Sequence, residues 1–427
     1  MVFPLLSSGP STGRVWRRRA ALIATLVAWS PFAGATTEQT LAAAVRAAWA
    51  AHPASVATEQ SLAAARARAE AASRPLYNPE LELAVDDEGA DRTTSAGLAW
   101  TLDWSGKRSA RGAAGAATLT EAEAEALVRR NGFARTWLQA WSDRLAAQRR
   151  VALGAQRVAL VQRFAELAER QLTVGDISTL ERDLALLARD ETRAEQATLI
   201  AEAAAADESL RALGGSFASD TAATSAEVPP ALKDDDRLEA VPEQRLAQAQ
   251  TELAARNVVV AERDRRPDPT FSLRGGQVDL DGVSDNVFGV SVSIPLFVRN
   301  GFRAESIAAR ADQDVAAAEA RRVALETEAA AARARATYGA MRDAWAQWTQ
   351  SAGTDVDARA ALLERLWRAG ELSTADYLIQ LQQTVDTALA GAELQGRVWR
   401  TYVDALYATG QLDAWVGFDL SHSQVNP

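Results

Sequence analysis

The 427-residue chain contains no cysteine, two histidines and two methionines. Without thiols there is no disulfide, no cysteine metal site and no lipid-anchoring cysteine, a composition suited to an oxidising compartment. A metal cage would have to lean on carboxylates alone, so no metal-ligating set is expected, and His52 is read as an exposed helix-start residue. Beyond the N-terminus no stretch offers eighteen consecutive apolar residues, which removes a conventional transmembrane helix. No glycine-rich phosphate loop or nucleophile arrangement stands out, so no catalytic or cofactor-binding residue is expected and the chain is read as a non-enzyme. Lys and Arg (46) are outnumbered by Asp and Glu (56), which argues against a nucleic-acid partner.

What is present begins with an export signal. Arg14, Arg17, Arg18 and Arg19 form a charged region, "AALIATLVAW" an apolar one, and Ala33-Gly34-Ala35 a small-residue cleavage site, which assigns residues 1–35 to a signal peptide. Removing its four arginines leaves a net charge of about −14. The remainder, drawn from a chain that is 48% hydrophobic, can bury a large core.

The chain is internally duplicated. Gly106 in "DWSGKR" precedes Gly175 by 69 residues, and Gly301 in "VRNGFR" precedes Gly370 by the same 69. Each first glycine follows a proline-led segment, "YNPELELAV" from Tyr77 and "PDPTFSLRG" from Pro267. A period near 190 to 195 residues is too long for a solenoid unit and reads as a duplicated domain. The expected organisation is a first repeat over 36–215, a Ser/Ala/Pro/Asp-rich connector over 216–238, a second repeat over 239–412 and a tail over 413–427.

Long segments of each repeat carry helical periodicity. Leu153, Leu160 and Leu167 recur at seven, with Val161 and Phe164 filling the same stripe, which is coiled-coil-like. No proline interrupts Lys107 to Thr173, so one helix of roughly 100 Å is predicted there. The return segments are shorter and break near mid-height, where the connector and both termini should meet. The tryptophans Trp137, Trp141, Trp345, Trp348 and Trp367 fall at helical spacings and are read as packing residues.

Between the helices each repeat holds two alternating segments and a polar turn, hence one hairpin. Leu98, Trp100, Leu102 and Trp104 share a face in "GLAWTLDW", as do Phe288, Val290 and Val292 in "FGVSVSIPL". The opposite faces carry small or acidic residues, among them Glu80, Glu82, Asp86 and Asp103. That is the alternation of a membrane barrel wall, with the apolar set facing lipid and the four acids lining a lumen. A soluble sandwich alternates too.

Two interruptions share one grammar, "VGDIST" at 174–179 and "AGELST" at 369–374. Gly175 can close one helix in a left-handed cap, while Ser178 and Glu181 make a capping box for the next; Gly370, Ser373 and Asp376 do nearly the same.

With these elements in order the chain resembles the TolC-like outer-membrane efflux channel family. The resemblance covers nearly all of the mature chain, and "NPEL" with "GKR" further resembles its heavy-metal cation efflux branch. It implies a mainly α fold with a small β part: a helical coiled-coil barrel crossing the periplasm, and four strands per chain contributing to a twelve-stranded transmembrane barrel in a homotrimer. It also implies an exit duct that passively conducts its cargo, expected to be metal cations. The implied partners are a periplasmic adaptor (membrane fusion) protein, an inner-membrane proton-driven pump of the resistance-nodulation-division type, and outer-membrane lipid. On this resemblance Val174, Gly175, Asp176, Ile177, Ser178, Thr179, Gly370, Glu371, Leu372, Ser373 and Thr374 form adaptor-docking tips, and Asp176, Glu371 and Asp376 a periplasmic gate. The chain departs from the family in having Ile379 one turn past Asp376, where a further acid is common. A drug or type I secretion duct of the same fold, or a soluble periplasmic adaptor or scaffold, remains open at this level.

Overall fold

The computed structural model describes residues 37–89, 91–215, 228–232, 241–280, 283–351 and 356–418. The predicted signal peptide, most of the connector and residues 419–427 of the expected tail lie outside them.

The order is α1 (Thr37–Ala51), α2 (Pro53–Ser73), β1 (Glu80–Glu88), β2 (Asp91–Thr101), α3 (Lys107–Val174), α4 (Thr179–Ala212), α5 (Pro242–Asp264), β3 (Thr270–Leu280), β4 (Val283–Ser293), α6 (Arg303–Ser351), α7 (Val356–Arg368), α8 (Thr374–Ala408) and α9 (Leu412–Val416). The proline-free α3 runs for 68 residues, roughly 100 Å. Such a length is held by neighbours rather than by propensity, and α3 packs against α2, α4, α5 and α8. Small residues set the approach: a Cβ on Gly115 would fall 2.8 Å from that of Ala72 on α2. Pro53 separates α1 from α2, and His52 caps α2 by accepting at Nδ1 from the Ala54 N–H, its ring half-buried beside Phe133.

Two apolar cores divide the helices. One joins Leu41 and Val45 of α1, Trp137, Leu138 and Trp141 of α3, Leu210 of α4, Tyr338 of α6 and Val398, Trp399 and Val403 of α8. Helices α1 and α9 and the described connector residues 228–232 meet on it: Val228 and Leu232 pack at its edge, and the Tyr338 hydroxyl donates to the carbonyls of Pro229 and Pro230. The expected tail is here corrected from Asp413 to Phe418. Val416 and Phe418 are buried, and Asp413 receives a two-pronged Arg130 guanidinium, so the segment is core rather than appendage. The second core gathers Leu160, Phe164, Ala168, Leu363, Trp367, Tyr377 and Leu381 between α3, α7 and α8.

Helix α6 ends at Ser351 and α7 starts at Val356.

The four strands form one antiparallel sheet in the order β1-β2-β3-β4. The hairpins of the two repeats are joined by β2 and β3 pairing from Arg92↔Asp279 to Thr101↔Thr270.

Candidate functional site

The sheet register sorts side chains into two chemically distinct faces. Leu81, Leu83 and Val85 of β1 share one face with Leu98 and Trp100 of β2, because Leu81 opposes Leu98. The same face continues through Phe271 and Leu273 into Phe288, Val290 and Val292. Phe288 and Val290 are 74% and 68% exposed, so this apolar face lies open along the chain. The other face carries Glu80, Glu82 and Asp86 with Ser95, Gly97, Ala99, Ser272 and Ser291.

Three expected wall residues fall elsewhere. Strand β2 ends at Thr101, so Leu102 and Trp104 sit at the strand-to-helix corner: the Leu102 N–H donates to the Pro269 carbonyl and the Trp104 indole to that of Pro267. Asp103 does not line the sheet but starts α3, accepting from the backbone N–H groups of Lys107 and Arg108. Burial opposes its charge, yet those amides outweigh it and hold the carboxyl below the usual carboxylate range. Alternation alone extends the strand past Asp103; the orphan N–H groups of a new helix compete for that carboxylate and win.

Beside this corner lies a buried ion pair that the sequence did not single out. Lys107 Nζ stands 2.9 Å from Asp268 Oδ2, with both side chains almost wholly buried. The Tyr77 hydroxyl donates to the same oxygen at 3.0 Å, and burial with that carboxylate raises the phenol's pKa. Tyr77 and Lys107 belong to the first repeat and Asp268 to the second, so one charge ties the roots of both hairpins together.

The two interruptions adopt the same turn. Gly175 and Gly370 take φ of 84° and 74°, a left-handed conformation that costs other L-residues energy. The Asp176 N–H reaches back to the Gln171 carbonyl and the Glu371 N–H to that of Leu366, completing Schellman motifs. Ser178 and Glu181 form the full reciprocal capping box, whereas Ser373 caps α8 through the Asp376 N–H. At these tips Val174, Asp176, Ser178, Thr179, Glu371, Ser373 and Asp376 are exposed, as are Gly175 and Gly370. Thr374 is 2% exposed and so unavailable as a docking surface. Ile177 and Leu372 are half-buried against the second core and act first as packing residues. Of the three acids expected at a gate, Asp176 and Glu371 stand exposed in the turns, while the Asp376 carboxylate accepts the Ser373 hydroxyl at 2.7 Å. Large apolar side chains open to solvent near the first tip are Val174, Leu180 and Leu187, with Ile379 near the second. Leu180 and Leu187 hide inside a helical Leu/Arg stretch, and only knowledge of which stripe packs inward separates them from the core.

Known structures share this arrangement. The chain superposes on the transmembrane-channel protein CusC with a TM-score of 0.70 at 17% identity, over 88% of this chain and 92% of that one. It superposes on the outer membrane protein VceC of Vibrio cholerae with a TM-score of 0.69 at 17% identity, covering 87% and 96% of the two chains. The CmeC outer membrane channel of Campylobacter jejuni gives 0.69 at 14% identity, covering 91% and 89%. This is the fold of the TolC-like outer-membrane efflux channels. No family model matches the chain. In sequence it is 28% identical over 256 residues to the cobalt-zinc-cadmium resistance protein CzcC of Cupriavidus metallidurans, a match spanning 56% of this chain and 59% of that protein. In this chain the α3–α4 and α7–α8 turns close its two long helical hairpins at the end away from the sheet.

Proposed function

We propose that this chain is the outer-membrane exit duct of a tripartite efflux system and works as a homotrimer, conducting metal cations passively from an inner-membrane pump and periplasmic adaptor to the outside. The observation that carries this reading is the four-stranded sheet. Its apolar face is exposed, and β1 and β4 each present an open edge of nine or more residues. Long apolar edges in water are aggregation sites, so a stable protein pairs them. In lipid every backbone group must be bonded internally, which a sheet achieves only by closing on itself. Three copies joined edge to edge satisfy both demands.

The cargo assignment rests on the CzcC relative, and docking of an adaptor at the tips rests on the exposed turn residues beside Val174, Leu180 and Ile379. Outer-membrane fractionation together with a heat-dissociable trimer in mild detergent tests the duct; a soluble monomer overturns it in favour of a periplasmic scaffold. Deletion should sensitise cells to cobalt, zinc or cadmium. Sensitivity to organic drugs with unchanged metal tolerance overturns the metal cargo while leaving the duct intact.

A further inference from the structure

The polar face of the sheet carries one long cationic side chain at a defined height. In register, Glu82 of β1 opposes Gly97 of β2, Gly97 opposes Arg274 of β3, and Arg274 opposes Gly289 of β4. The adjacent rows are Glu80, Ala99, Ser272, Ser291 and Ala84, Ser95, Gly276, Val287. Arg274 therefore rises from a floor of small side chains, with a glycine on either flank. A Cβ on Gly97 would lie 3.0 Å from the Leu273 carbonyl and 3.6 Å from Arg274 Cα, whereas one on Gly289 would meet nothing within 4 Å. Glu82 is two strands away, about 10 Å at the usual strand spacing.

We infer that Arg274 sets the ion preference of the barrel, with Glu82 as its counter-charge. The inference rests on the trimeric duct proposed above. In a closed trimer the row repeats three times, placing three guanidiniums at one level and three Glu82 carboxylates several Å from it along the axis of a tilted-strand barrel, while the Glu80 and Asp86 rows carry carboxylates alone. A guanidinium stays charged at every working pH, so the positive charge of this row is permanent. It lowers the cation preference that the acidic levels would otherwise impose, and it favours close approach of anions at that height. Charge on the wall is felt across the lumen only at modest salt, since the Debye length falls from about 10 Å at 0.1 M to about 3 Å at 1 M.

The absence of cysteine makes a local measurement possible. Gly289→Cys places a single thiol beside Arg274 where there is open space. In intact cells at low salt its rates with an anionic (sulfonatoethyl) and a cationic (trimethylammonioethyl) methanethiosulfonate are compared. Arg274→Gln should lower the anionic-to-cationic rate ratio severalfold, Glu82→Gln should raise it, and Arg274→Lys should keep it, with the differences shrinking at 1 M salt. An unchanged ratio in Arg274→Gln, with the thiol still reactive, overturns the role of Arg274 alone. A thiol in the folded protein that reacts with neither reagent shows that this face is no water-filled lumen, and overturns the duct as well.

Discussion

The Thr374 hydroxyl donates to the Glu181 carboxylate at 3.3 Å, although the two residues are 193 positions apart. The Trp367 indole donates to the same hydroxyl at 3.1 Å, and the other Glu181 oxygen accepts from the Ser178 backbone and hydroxyl. The capping box of one tip is thus wired to the helix start of the other. Phe164 stacks on Tyr377 at 4.1 Å just behind them, in a core that pushes the tyrosine pKa up to about 12.

This wiring gives the tips a pH dependence. Hydrogen bonds from the Ser178 backbone, then its hydroxyl, then Thr374 lower the Glu181 pKa. A depressed carboxylate contributes stability above its unfolded pKa and loses it as pH falls through the folded value. Amide protection of residues 178–182, corrected for intrinsic exchange, should therefore hold above the ordinary glutamate value of about 4.3 and fall as the pH drops below it, and Glu181→Gln should flatten the profile. An identical profile in the variant would show that Glu181 is not the titrating group.

Capping and docking are separable at the first tip. Ser178→Ala removes a cap and should cost about 1 kcal/mol, read as a lower melting temperature with efflux retained. Leu180→Glu, on a side chain 69% exposed, should leave melting unchanged and abolish adaptor cross-linking and metal export. Ile177→Glu charges a half-buried packing residue and should lower stability instead. Export preserved in Leu180→Glu would remove the docking surface from this face.

At the sheet root, Lys107→Ala strands the Asp268 carboxylate in a buried site, a loss of about 3 to 5 kcal/mol. Lys107→Met combined with Asp268→Leu should recover most of it, because a matched apolar pair carries no uncompensated charge. Thermal dissociation of the detergent-solubilised protein measures both. A double variant as unstable as the single one would mean that the pair is needed for geometry rather than charge balance.

On the apolar face, Val290→Arg should lower barrel stability by about 2 to 4 kcal/mol if the residue lies near the middle of the bilayer. Val290→Leu should be silent. Normal assembly of the arginine variant would place this face outside lipid.

Much of this molecule is legible along the chain. The absence of proline gives α3 its length, paired glycines give the two turns, and period-two runs give the hairpins, because each depends on backbone geometry within a few residues. Local capping was equally readable, since Ser178 and Glu181 are three positions apart. What the sequence could not rank was competition between partners distant in the chain. Asp103 fits a strand by alternation, yet the free amides of α3 claim it. Ile177 and Leu180 are both aliphatic, and only packing against α3, α7 and α8 decides that one supports the tip and the other faces outward. Arg274 gains its meaning from strand register, which sets it between Gly97 and Gly289 and in one cross-strand row with Glu82. The sequence by itself determined the elements and their order; tertiary structure decided which charges meet and which side chains are left open, because burial and pairing depend on distances that only the packed chain defines.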